Sequence, residues 1–398
     1  IAITLVPALM AILGRRIFWP RRSTREWAPG RASRLAYFAT ARPAALAIAF
    51  VACAALFFAC KGLLETNLGI TQIQGLPESS EQRRAQDAAA QGFAPGILSP
   101  TVLLLEGVDG TTDLPGLVRL QGALEKQSGI ATAIGPATPA ARDIPGLVLA
   151  ENDAAARYLL VLDDEPQGGP AVDTVERLRD RLPDLTEEAG LSDVEVRLAG
   201  DTALAGETVE TITHDLIRIG IAAFLVNFIL LAIFLRALIA PLYLVLASAL
   251  ALAASIGLTT LFFQGFLGHD EITYHVPFAV AVLLLSLGSD YNVFVVGRIW
   301  QSAEGGLSLR EAIATAAPRA SRAIGVAGLA LALSFAALAL IDLRQFHEFA
   351  FAMCVGVLLD AFLVRALLIP ALISLFGERS FWPRKRTPAE PAMDTGVA

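Results

Sequence analysis

The stretch VPFAVAVLLLSLGSDYNVFVVGRIW, residues 276–300, decides the fold of this chain. It stays apolar for longer than a buried strand needs. It closes on Arg298 and Trp300, side chains that favour the boundary between hydrocarbon and water. Five further runs share its character, at residues 43–60, 216–235, 238–266, 320–341 and 347–376. A bilayer core about 30 Å thick is crossed by roughly 20 such residues, so each run is long enough to span or nearly so. The composition agrees: 55% of the 398 residues are hydrophobic and 17% charged, against roughly a quarter charged in a soluble domain. A polytopic membrane protein follows. A disordered chain, a nucleic-acid binder and a simple cytosolic enzyme are excluded.

The charges between the runs give an orientation. Residues 15–42 hold eight Arg against one acid, Glu26, while the long polar region from Lys61 to His214 holds 11 basic and 25 acidic residues. The loop 268–275 carries Asp270 and Glu271, and the segment after 300 carries Arg310, Arg319 and Arg322. Under the positive-inside rule the Arg-rich segments face the cytoplasm and the acidic region lies outside. The expected plan is a cytoplasmic linker over 15–42, a first span at 43–60, an extracytoplasmic domain over 61–213, five spans within 214–376 and a cytoplasmic tail at 377–398. The expected home is a bacterial cytoplasmic membrane.

Within the polar region, TVLLLEG (101–107), ARYLLVLDD (156–164) and VEVRLAG (194–200) suit strands, and 79–92, 115–128 and 169–189 suit amphipathic helices. This rhythm predicts split βαβ units of the ferredoxin-like kind, two in succession. Asp201 or Thr202 is expected to cap the helix that enters the membrane near Leu216. No catalytic triad, metal cluster or phosphate loop is visible there, and neither a cofactor nor an enzymatic activity is expected.

One repeat stands out. LVPALMAILGRRIFWPRR (5–22) and LIPALISLFGERSFWPRK (368–385) agree at 10 of 18 positions at a constant offset of 363. Each reads as an apolar helix ending at glycine, followed by interfacial aromatics and cations. With 363 residues as the period, residues 1–14 are expected to be the end of the last helix of a preceding, homologous N-terminal half.

The chemistry is expected inside the membrane. Counted back from Arg298 at 1.5 Å per residue, Asp290 sits roughly 12 Å into the core. A carboxylate there costs several kcal/mol and must face the bundle interior, either as a proton carrier or as a hydrogen-bonded tie. Tyr291 offers a hydroxyl, and Ser286 and Phe294 lie four residues to either side of Asp290 on its helical face. Asp290, Tyr291 and Ser286 are thus the expected proton relay. Asp360 is a second acid in an apolar run, a buried polar tie or relay. Arg365 follows five residues later, about 140° round an α-helix, so Asp360 is expected to find its partner on another segment and Arg365 to snorkel or pair with a neighbour. Gly325, Gly328 and Gly356 read as close helix-packing positions. The segment 307–322 reads as an amphipathic stretch lying along the inner surface. Neither the four dispersed histidines nor Cys53, Cys60 and Cys354, all in apolar runs, make a metal site or a disulfide framework.

Together, GSDYNVFVVGRI (288–299), AGLALALSFAAL (327–338) and GVLLDAFLVRALLIPAL (356–372) resemble the C-terminal half of MMPL proteins, a branch of the RND superfamily of proton-driven exporters. The resemblance implies a porter domain with ferredoxin-like subdomains and an Asp-Tyr pair in each half. Asp290 and Tyr291 match the second pair. Multidrug members of the superfamily carry a membrane-embedded Lys, whereas Lys61, Lys126 and Lys385 all lie outside the spans, which fits the MMPL branch. The implied partners are protons, membrane lipids, a hydrophobic or lipid substrate, the N-terminal half and, in some members, further copies of the chain as a homo-oligomer. A sterol-sensing-like receptor or scaffold that does not pump, or a secretion subunit like SecD and SecF, is the alternative.

Overall fold

The computed structural model describes residues 4–14, 37, 39–70, 75–191 and 194–384, and the side chains of Val6, Ser289, Asp290 and Tyr291 lie outside the described set. Most of the Arg-rich linker and the tail from 385 onward are also outside it. The helices longer than one turn are α1 (Leu5–Leu13), α2 (Arg42–Ala59), α3 (Glu81–Ala90), α4 (Leu114–Leu124), α5 (Gly169–Glu188), α6 (Asp201–Leu235), α7 (Ile239–Thr260), α8 (His275–Glu304), α9 (Leu309–Ala336), α10 (Arg344–Leu358) and α11 (Ile369–Phe376). Segments of π-helix extend α7 over Leu261–Phe266 and join α10 to α11 over Leu359–Leu368.

Six of the described helical stretches are long and apolar enough to cross a membrane: Arg42–Glu65, Asp201–Leu235, Ile239–Phe266, His275–Glu304, Leu309–Leu340 and Arg344–Phe381. On α6 the apolar side chains Ile217, Ile221, Leu225, Ile229 and Phe234 are exposed. A helix that is apolar on its outer face as well as its inner one belongs in lipid. The bundle interior is built from Ala and Leu, with Ala45, Ala240, Leu244, Val295, Ile299, Ala312 and Ile369 among its fully buried members.

The polar region forms one sheet. Strands β2 (Thr101–Glu106), β3 (Ile130–Ile134), β4 (Ala155–Leu162) and β5 (Glu195–Ala199) pair in the order β3-β4-β2-β5, all antiparallel. With α4 between β2 and β3 and α5 between β4 and β5, the connectivity is βαββαβ, so the two βαβ units share a single sheet. Alternation along β2 places Thr101, Leu103 and Leu105 inward. Leu103 and Leu105 share a core with Leu117, Leu120, Leu178 and Leu182 from the two helices. Two short strands, β1 (Leu68–Gly69) and β6 (Ile272–Thr273), pair in parallel and tie the start of this domain to the loop before α8.

Two local expectations change, and a third gains a backbone basis. Helix α6 begins at Asp201, with Gly200 (φ 107°) as its N-cap and no side-chain cap. The Asp201 carboxylate accepts from the Ser99 hydroxyl at 2.7 Å instead, and Thr202 is buried. Segment 307–322 does not lie along a surface. Its start is fixed by a capping box between Ser308 and Glu311, and Ala312, Ile313, Ala316, Ala317 and Ala320 then pack into the bundle as the first turns of α9. The repeat, finally, has a backbone counterpart. Gly14 after α1 and Gly377 after α11 adopt φ 53°, ψ −134° and φ 58°, ψ −135°, and each N–H returns to the carbonyl four residues back. A positive φ of that kind suits glycine, which explains its place in both copies.

Candidate functional site: an ion pair within a span and a joint at its end

The final span, Arg344–Phe381, carries two polar constellations. In its middle, Arg365 is fully buried and its Nη2 forms an ion pair with Asp360. The same nitrogen donates to the Gly288 carbonyl of α8 at 2.7 Å. The expectation that the two charges cannot meet within one helix is overturned, because this stretch is π-helical. An i→i+5 repeat widens the turn and brings residues five apart nearly into line. Arg365 is buried rather than snorkelling, and it reaches a neighbouring segment through the Gly288 carbonyl.

Close packing holds this region. Gly328 faces Ala361 so closely that a Cβ would lie 2.8 Å from the Ala361 methyl, and at Gly325 it would lie 3.2 Å from the Phe362 ring. At Gly356 a Cβ would meet Leu284 at 2.4 Å and the Ser255 hydroxyl at 2.9 Å. Two cavities of about 20 Å³ each flank the ion pair. One is lined by Asn227, Ser248, Gly288 and Asp360, the other by Gly288, Gly328, Asp360 and Arg365. Each is of the size that takes a single water. Nearby, buried Asn292 donates to the Ser248 hydroxyl at 3.3 Å, while its Oδ1 has no partner among the described residues. Polar groups from four spans thus converge on Asp360.

Of the expected relay, Asp290 and Tyr291 belong to α8, two and three residues beyond Gly288, and their side chains lie outside the described residues. Ser286 is exposed, on the side of α8 where Val282, Leu283 and Phe294 are also exposed.

The second constellation sits where the span leaves the bundle toward the α/β domain. Arg344 pairs with Glu348 at 2.9 Å, and its Nη2 donates to the Glu271 backbone carbonyl. Fully buried Glu348 accepts the Thr273 N–H of β6 at 2.9 Å. Glu271, 2% exposed, turns the other way and accepts the Gly169 N–H at 2.6 Å. Gly169 is the first residue of α5, so the carboxylate lies at the positive end of that helix. Burial nonetheless pushes the Glu271 carboxyl above its ordinary value, against the pull of the Gly169 N–H and Arg344. At Gly69 in β1 a Cβ would lie 2.6 Å from the Glu271 carboxyl carbon and 2.9 Å from Gly169 N, so only glycine fits. Sequence reasoning missed this joint. Its one legible sign was Arg344 and Glu348, a charge pair at i,i+4 opening an apolar helix.

A membrane bundle with a βαββαβ domain inserted after its first span, and an acid–base pair held inside its last, can be compared with known proteins. The model of the MMPL family matches residues 74–393. The chain belongs to the MMPL family. A putative membrane protein of Streptomyces coelicolor is 31% identical over 389 residues, 97% of this chain and 44% of that protein. The apo-petrobactin exporter of Bacillus anthracis is 27% identical over 79% of this chain and 40% of its own length. The sulfolipid-1 exporter MmpL8 of Mycobacterium tuberculosis is 29% identical over 57% of this chain and 20% of its own. This MMPL chain spans about half the length of the Streptomyces relatives it matches.

Proposed function

We propose that this MMPL chain is the second half of a proton-driven exporter of lipids or other hydrophobic molecules across a bacterial cytoplasmic membrane. The βαββαβ domain is its ferredoxin-like porter domain, on the extracytoplasmic side. The names of the petrobactin and sulfolipid exporters support the transport reading, and the sheet order and connectivity support the reading of the domain. One observation carries the mechanism: the Asp360–Arg365 pair, anchored on the Gly288 carbonyl, sits in the span whose outer end holds the porter joint.

In this reading Asp290 and Tyr291 receive the proton with Ser286 beside them, and the small cavities around Asp360 let water carry it between helices. Neutralising a carboxyl group removes the charge that holds the Arg365 guanidinium, which then turns to other acceptors and frees the last span from α8. The two arrangements are discrete because the packed glycine contacts do not deform smoothly. A shift of the span moves Arg344 and Glu348, and with them β6, β1 and the start of α5. Proton entry is thereby turned into motion of the porter domain.

The test is proton uptake by proteoliposomes holding the protein with its native upstream half, compared with Asp290→Asn and Asp360→Asn variants. Uptake that falls at least tenfold in both supports the reading. Uptake at the normal rate in both contradicts it and leaves a receptor or scaffold that does not pump.

A further inference from the structure

The hydroxyl of Ser248 is bonded unlike those around it. In a helix a serine or threonine hydroxyl commonly returns to the carbonyl four residues back, as Thr259 and Thr260 do on α7 and Ser302 and Ser334 do on α8 and α9. Ser255, also on α7, donates across to the Ala352 carbonyl of α10 at 2.7 Å. Ser248 makes neither kind of bond among the described residues, and its oxygen instead accepts from the Asn292 amide of α8 at 3.3 Å. A hydroxyl has one hydrogen and two acceptor lone pairs. Accepting from Asn292 therefore leaves the Ser248 hydrogen to be donated elsewhere.

Within reach is a cavity of about 20 Å³ that Ser248 lines together with Asp360 and Gly288, with Ala251, Leu252, Leu284 and Leu285 as the apolar part of its wall. That volume takes one water, which is held only where polar groups meet it. Asp360 offers an acceptor and Ser248 a donor. Counted from Ile239, the first residue of α7, Ser248 lies about 14 Å along the helix, the depth of a bilayer midplane. Asn292 is fully buried and stands one turn beyond Gly288, whose carbonyl anchors Arg365. Its amide can donate to Ser248 in either protonation state of Asp360. The Ser248 oxygen thus stays in place while its hydrogen is free to turn.

We infer that Ser248 is a positioning residue for proton transfer at Asp360: it holds a single water against the carboxyl group, and Asn292 fixes Ser248 in turn. This rests on the reading that Asp360 is neutralised during transport. With Asp360 ionised, the Ser248 hydroxyl donates to the water and the water donates to the carboxylate. An arriving proton binds the water, which passes one of its own hydrogens to Asp360 and is left neutral. With Asp360 protonated the bonds reverse, so that the carboxyl O–H donates to the water and the water donates to the second lone pair of Ser248.

The experiment measures proton uptake by proteoliposomes holding the protein with its native upstream half. S248A should slow uptake roughly tenfold or more, the scale of one hydrogen bond to a charged group, while S248T, which keeps the hydroxyl, should pump close to the parent rate. N292L frees Ser248 to turn back to the Leu244 carbonyl and should also slow uptake, with no further loss when it is added to S248A. Infrared difference spectra in ordinary and heavy-oxygen water report the bound molecule directly: the parent should show an isotope-sensitive O–H band that S248A lacks. Parent-rate uptake in S248A, or the same water band in both proteins, overturns the inference. Equal slowing in S248A and S248T also overturns it, by marking a packing position. Asp360→Asn separates the two levels. Where it is slow and S248A is not, this inference alone fails; where it pumps normally, the reading beneath fails as well.

Discussion

The two ends of one problem lie on one span. In the middle of Arg344–Phe381 the Asp360–Arg365 ion pair is enclosed by the bundle, where Asp360, Arg365 and the Gly288 carbonyl are held by glycine contacts. At its start, beside the α/β domain, Arg344, Glu348, Glu271 and Gly169 share the load over several bonds to backbone. Removing one charge of a buried pair leaves the other uncompensated, at a cost of about 3–5 kcal/mol. A network of several bonds loses one member and keeps the rest. The middle is therefore suited to switching and the joint to transmitting.

The sharpest way to break that contrast is Arg365→Met. It abandons Asp360 inside the bundle and should cost about 3–5 kcal/mol. Pairing it with Asp360→Leu should recover most of the loss, as read from thermal unfolding in detergent. If the double variant is as unstable as the single one, the pair is not the unit it is taken to be. At the joint the largest effect should come from Gly69→Ala, whose new methyl meets Glu271 and the α5 backbone. A cost of about 1–3 kcal/mol is expected, with the α/β domain becoming more sensitive to protease while the bundle stays intact.

Glu271→Gln sharpens the comparison through pH. Burial raises the Glu271 carboxyl above its ordinary value, so between the unfolded and folded values the joint takes up a proton that the unfolded chain releases. Its contribution to stability is full at low pH and is lost as pH rises through the raised value. The parent should therefore grow more stable on moderate acidification, and the Gln variant, which keeps an acceptor for the Gly169 N–H, should lose that slope. Parallel stability profiles in the two proteins would contradict the assignment. The smallest effect is expected at Gly288→Ala. A methyl there meets Arg365 at an ordinary 3.6 Å, and alanine's higher helix propensity makes the change neutral to about 1 kcal/mol stabilising.

Different parts of this molecule are legible in its sequence for different physical reasons. Membrane spans announce themselves because lipid demands long apolar runs, and strands β2, β4 and β5 because alternation marks a half-buried sheet. Strand β3, IATAI, escaped notice since its Ala and Thr residues lack a clear alternating pattern. The Asp360–Arg365 pair was misread because spacing in sequence assumes 3.6 residues per turn, and nothing in LDAFLVRALL signals the wider helix. The joint was invisible for another reason. Thr273 and Glu348 are 75 residues apart and Gly169 and Glu271 are 102 apart, and only the fold brings them together.

The central claim is that neutralising the middle of the last span loosens its start, where it meets the α/β domain. Amide hydrogen exchange on Ile272, Thr273 and Tyr274 tests it most directly, in the parent and in Asp360→Asn at one pH. The account predicts faster exchange at these three amides in the variant, with strands β2 and β4 of the domain unchanged. Identical exchange at β6 in the two proteins would contradict it.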